Sequence, residues 1–181
     1  KASLDYRYAG DSFQTSGEHW DPDDQPTNSS DLNASLGGPI LRDRLWFFTA
    51  LQSFNEDYTP PAAPTTRQWS EQNYLGKLTW QASRAWSLVG KVITNPIEWD
   101  YSGSSQFRAP EATWLESWDV ISGQAGVSGV LSDRLFLGAR VSGMESSFEY
   151  FPHDGDFTTI GQFNLDSREA YGNVVSQNFD E

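Results

Sequence analysis

Apolar and polar residues trade places at every second position through most of this chain, the period of a strand with one wet face. Residues 2–13 open the pattern with Leu4, Tyr6 and Tyr8 against Asp5, Arg7 and Ala9. Segments 30–37 and 45–55 follow, separated by a charged turn. Segment 73–81 has the clearest face, with Tyr74, Gly76, Leu78 and Trp80 opposed to Asn73, Lys77 and Gln81. In 86–95, Trp86, Leu88, Gly90 and Val92 oppose Ser87, Lys91 and Asn95. A sixth strand sets Ile121, Gly123, Ala125, Val127, Gly129 and Leu131 against Ser122, Gln124 and Ser128. The seventh sets Leu135, Leu137, Ala139, Val141 and Gly143 against Arg140 and Ser142 and runs on to Phe151; a weaker eighth spans 168–179. The pattern predicts an all-β fold, an antiparallel meander of about eight strands.

The predicted connections are of two kinds. Those at 41–44, 82–85 and 132–134 are short, whereas those at 14–29, 56–70, 96–116 and 152–166 are long and rich in Pro, Gly, Ser and Asp. Short turns on one side and long loops on the other are how outer-membrane barrels connect their strands, in the periplasm and outside the cell respectively. Two of the short turns share the order Leu-x-Asp-Arg-Leu-aromatic, Leu41 to Trp46 and Leu131 to Phe136, and Trp86 follows Arg84 at the same spacing. Such aromatic positions suit an interfacial girdle.

The stretch NASLGGPILRDRLWFF, within residues 31–54, resembles the start of the barrel in TonB-dependent outer-membrane receptors, especially the carboxypeptidase-regulatory-like, OmpA-related group. The resemblance implies a fragment from the early part of a transmembrane β-barrel. Its implied function is active uptake of a nutrient across the outer membrane of a Gram-negative bacterium, without enzymatic activity. Implied partners are the outer-membrane lipid, the rest of the receptor with its plug domain, the TonB-ExbB-ExbD system and a nutrient ligand. Two alternatives stay open on the residues alone: a soluble antiparallel β-sandwich that binds glycans, and a complete small eight-stranded outer-membrane barrel.

Composition fits a barrel wall, because lipid meets only alternate residues and mean hydropathy stays low. Here it is −0.58, with 14% aromatic residues and eight Trp. No run approaches the roughly 18 apolar residues of a membrane helix. A net charge of −13 opposes nucleic-acid binding. The lack of Cys removes disulfides and thiolate chemistry. The opening residues lack the apolar core of a signal peptide, which together with the resemblance favours an internal fragment.

Candidate chemistry is sparse, and neither a catalytic residue nor a cofactor is expected. His19 and His153 fall in separate loops, and no serine sits in a nucleophile elbow. Asp21, Asp23 and Asp24, and Asp154 and Asp156, are calcium candidates by donor type, although neither group has EF-hand spacing. Trp20, Tyr58, Trp99, Tyr101 and Trp114 are ligand-loop candidates, with Trp69, Phe107 and Trp118 beside them, since exposed aromatics stack on ligands or anchor an interface. Asn73, Lys77, Gln81, Lys91, Asn95, Gln124 and Arg140 are expected to face the barrel lumen.

Overall fold

Seven long strands hydrogen-bond in chain order, each antiparallel to the next. They are β1 (Ala2–Gly10), β2 (Pro26–Leu41), β3 (Leu45–Tyr58), β4 (Arg67–Gln81), β5 (Trp86–Ser102), β6 (Trp114–Ser132) and β7 (Leu135–Pro152). The computed structural model describes residues 1–10, 26–172 and 177–180. Two very short strands, β8 (Gln162–Phe163) and β9 (Ala170–Tyr171), pair with each other in a sheet of their own, and β10 (Gln177–Asp180) joins the outer side of β7. The main sheet is open, with β1 at one edge. The weak eighth strand expected over 168–179 is thus divided: Arg168 takes φ 62° and Gly172 φ 76°, which no continuous strand accommodates.

Because each strand returns beside its predecessor, the turns after β2, β4 and β6 lie at one end and the longer connections at the other. All three turns are tight. Asp43 adopts φ 59° to close the first, Ser83 Oγ accepts from the backbone N–H groups of Ala85 and Trp86 in the second, and Ser132 Oγ accepts from Arg134 N in the third. Gly37 lies opposite Phe48, where a Cβ would come within 2.9 Å of the ring, and a register shift follows between Pro39 and Leu41.

The strands run further toward the long-connection end than alternation suggested. Residues 56–58, 67–70, 96–102 and 114–116, expected in loops, are all strand. Pro96 explains one misreading: it sits inside β5, where it has no N–H to give the ladder. By the flanking register it falls opposite Gln72, and Asn95 Nδ2 donates to the Gln72 carbonyl instead, at 3.3 Å.

Cross-strand partners share a face, so the register assigns two complete surfaces. One carries Leu4, Ala34, Leu51, Tyr74, Thr94 and Ile121 in a row that ends on Glu145, then Phe47, Leu78, Gly90, Ala125 and Val141, then Leu45, Trp80, Leu88, Val127 and Ala139. These side chains are open to the surroundings: Leu78 is 51% exposed, Val141 69% and Tyr74 47%. Among the described residues Ala112 is the single buried apolar side chain. Among the described residues no helix is long and apolar enough to cross a membrane.

Candidate functional site

The opposite face is mixed, carrying Trp46, Phe48, Leu75, Val89 and Ile93 as well as the polar residues. Asn73, Lys77, Gln81, Lys91, Asn95, Gln124 and Arg140 all lie on it by register, as expected of one surface. Its middle is a ladder of amides and acids: Asp31 Oδ1 accepts from Asn33 and Gln52, Asn73 donates to Glu71, and Asn95 donates to Asn73 Oδ1 at 2.6 Å. Toward the tight turns, Lys77 and Lys91 stand opposite each other beside Gln124, with Arg140 in the next row. They line a recess of about 630 Å³ whose wall contains no acidic residue.

At the other end of the face the aromatics gather. One cross-strand row across β3 to β7 reads Glu56, Trp69, Trp99, Glu116, Tyr150, two acids among three aromatics. Trp69 and Trp99 meet edge to face at 5.4 Å, and the Arg67 guanidinium lies about 6 Å from the rings of both Tyr58 and Trp99. A recess of about 220 Å³ is enclosed by Glu56, Tyr58, Arg67, Trp69 and Trp99. Beyond it, the buried Glu116 carboxylate accepts from Ser102 Oγ and from Trp114 Nε1. The Arg108 guanidinium lies 4.5 Å from the Trp114 ring, and the Tyr150 ring meets Trp114 in a T-shaped pair at 6.0 Å. Burial, and secondarily the charge of Arg67, lowers the pKa of Arg108 from its ordinary value.

The connections brace this end. Ser104, fully buried, shares a hydrogen bond with Thr65 Oγ1 at 2.7 Å and accepts at its carbonyl from Arg67 Nη2 at 2.6 Å. Residues 103–113 and 59–66 are therefore tied together over the strand ends. His153 stacks on Tyr101 at 3.8 Å and its Nδ1 lies 2.6 Å from Asp100 Oδ1, fastening the exit of β7 to β5.

No family model, curated protein or solved structure matches this chain.

Of the ligand-loop candidates, Tyr58, Trp99, Tyr101 and Trp114 converge at this end but on strands rather than loops, as do Trp69 and Trp118. Trp20 lies outside the described residues, as do Asp21, Asp23 and Asp24. Asp154 and Asp156 do not point their oxygens at a common centre: Asp154 accepts from Asp156 N, and Asp156 accepts from Thr158 and Thr159. Among the described residues no group of three potential metal ligands is assembled. Sequence reasoning missed Glu56, Arg67, Arg108 and Glu116. Treating 56–58 and 67–70 as strand would have set Glu56 and Arg67 beside Trp69.

Proposed function

We propose that this sheet is a section of the wall of a transmembrane β-barrel, from a TonB-dependent receptor that takes up a nutrient across the outer membrane of a Gram-negative bacterium. One observation carries the reading: the apolar face is laid out in rows across β1 to β7 and nothing in the described chain covers it. Each large side chain left in water forgoes roughly 1.5–3 kcal/mol of burial. A soluble sandwich would set a second sheet over this face, whereas the only other sheet in the described residues is the two-residue pair β8–β9. Hydrocarbon is the environment that such a face suits.

The extent of the apolar rows agrees. On β6 they run from Ile121 to Leu131, near the 9–11 residues with which a tilted strand crosses a bilayer. Above Ile121 the same face turns polar at Asp119 and Ser117, beside Gln72 and Ser70 on β4 and Ser147 and Glu149 on β7. The surplus strand would project on the side of the long connections, outside the cell, and the polar face would line the lumen toward the plug domain. Energy from the TonB-ExbB-ExbD system belongs to the same reading, as does transport in place of catalysis.

The test uses vesicles whose acyl chains carry bromine, a short-range quencher of indole emission. Variants that keep a single Trp, Trp80 on the apolar face or Trp99 on the polar one, are reconstituted in turn. Strong quenching of Trp80 and weak quenching of Trp99 is the expected result. A chain that stays in the aqueous phase without detergent, or equal quenching of both, rejects the barrel wall.

A further inference from the structure

Three cations meet at the tight-turn end of the mixed face with nothing to neutralise them. Lys77 on β4 and Lys91 on β5 are cross-strand partners, Arg140 on β7 lies one row nearer the turns, and all three line the recess of about 630 Å³. Lys77 and Arg140 are exposed and Lys91 is half-buried, so a molecule in the recess can reach them. None of the three side chains has a hydrogen bond or an ion pair among the described residues. Along β4 the first acid on this face is Glu71, about 20 Å up the strand from Lys77, and its carboxylate already accepts from Asn73 and Asn95. Opposed like charges cost stability, and neutral side chains would fill the positions equally well. In a chain of net charge −13, such a cluster runs against the whole composition.

We infer that this recess binds a multivalent phosphoryl anion, a diphosphate that is either free or esterified. A phosphoryl group presents oxygens in three directions; ammonium groups meet it as point charges, and a guanidinium grips two oxygens at once. Lys77 and Lys91 share one phosphoryl group, and Arg140, two strand spacings from Lys91 or about 10 Å across the sheet, takes the second. The rest of the wall donates without adding charge: Ser87 and Ser128 offer hydroxyls and Gln124 an amide. Gly126 keeps the middle open. It stands between Val89 and Arg140 in its row, and even a Cβ there would meet only the Ala139 carbonyl, at 3.6 Å. The volume falls within the 300–1,000 Å³ of small-molecule pockets. A planar carboxylate, with two oxygens in one plane, meets fewer of the cations. The site follows from register and charge, and it does not require the sheet to stand in a membrane.

The full chain in non-ionic detergent micelles is titrated with inorganic diphosphate, with malonate and with a hexa-aspartate peptide, all at the same ionic strength. Isothermal calorimetry and the phosphorus NMR line width of diphosphate report binding. The expected result is a saturable diphosphate site that weakens as sodium chloride is added. Lys77→Gln, Lys91→Gln and Arg140→Gln should each weaken it about tenfold or more, equivalent to about 1.4 kcal/mol. Arg168→Gln, which makes the same change in net charge in the loop after β7, should leave it unchanged. Each recess variant removes an unpartnered charge, so the strands should persist; far-UV circular dichroism checks this, and the remaining variants carry the test if one does not fold. The proposal fails if diphosphate does not saturate, if the recess variants bind it as Arg168→Gln does, or if malonate binds as tightly. Tighter binding of hexa-aspartate than of diphosphate also overturns it, and assigns the recess to an acidic polypeptide instead. None of these outcomes bears on the bromine-quenching result, which reports what surrounds the two faces.

Discussion

Lys77 and Lys91 stand directly opposite each other across β4 and β5, on the polar face, in a recess with no acidic wall. Like charges in that relation repel. Lys91→Glu should therefore raise stability by about 0.2–1 kcal/mol at low salt, with the gain shrinking as ionic strength rises and the Debye length falls. Urea midpoints at two salt concentrations measure it. An unchanged or lowered midpoint at low salt would mean that the two ammonium groups do not feel one another.

Leu78 distinguishes lipid from water. It is 51% exposed and central in the apolar rows. Leu78→Arg should cost about 2–4 kcal/mol in reconstituted vesicles if that position lies near the bilayer midplane, whereas an exposed position in water changes stability by only about 0.5 kcal/mol or less. The comparison is made by chemical unfolding in vesicles, with Lys77→Arg on the opposite face as the control.

Gly129 and Gly123 lie on the same face of β6 yet should respond oppositely to alanine. A Cβ on Gly129 would come within 2.5 Å of the Trp86 ring, while one on Gly123 would meet nothing within 4 Å. Gly129→Ala should displace the indole and cost about 1–3 kcal/mol, as overpacking does. Gly123→Ala should be tolerated. Thermal unfolding and the Trp86 emission maximum report the two effects.

The buried acid Glu116 should matter for structure. It accepts from Ser102 Oγ and Trp114 Nε1, so Glu116→Leu strands both donors. A loss of about 1–3 kcal/mol follows, and Glu116→Gln, which keeps an acceptor oxygen, should lose less. Denaturant unfolding of the two variants, compared side by side, checks the order.

Acid should reach the loop after β7 late. Hydrogen bonds from the Thr158 side chain, then from Thr159, hold the Asp156 carboxyl well below its ordinary value of 3.8. A depressed folded pKa contributes stability that is present above the unfolded value and lost as the pH falls through the folded one. The loop should keep its Thr158 and Thr159 contacts at the pH where an ordinary aspartate is half protonated, and release them only in stronger acid. Thr158→Val should move the titration upward. The carboxyl carbon shift of Asp156, followed by NMR, gives both curves.

The meander was legible because a two-residue period needs nothing but local sequence, and because the Asp-Arg turns mark where the period restarts. Leu78, Leu88 and Val141 fell on the expected face for that reason. The outward ends of the strands were not legible. Pro96 looked like a loop residue until Asn95 was seen to supply the missing donor, and Tyr58 and Arg67 looked like loop residues because Pro60, Pro61 and Pro64 lie between them. The recess was hidden with them, since Glu56, Arg67 and Trp99 come together only through a cross-strand register that spans 44 positions of sequence, from 56 to 99. Single-residue motifs had pointed instead to Asp154 and Asp156, whose oxygens their own loop consumes.

The edge formed by β1 has a further consequence. Among the described residues, nine there have β2 on one side and no neighbouring strand on the other, and on the far edge β10 covers β7 from Ser147 to Tyr150. Rows of unclaimed amide and carbonyl groups are templates for foreign strands. Purified on its own and without detergent, the segment should therefore zip onto copies of itself into ribbons that bind thioflavin, unless adjoining polypeptide seals those two seams first.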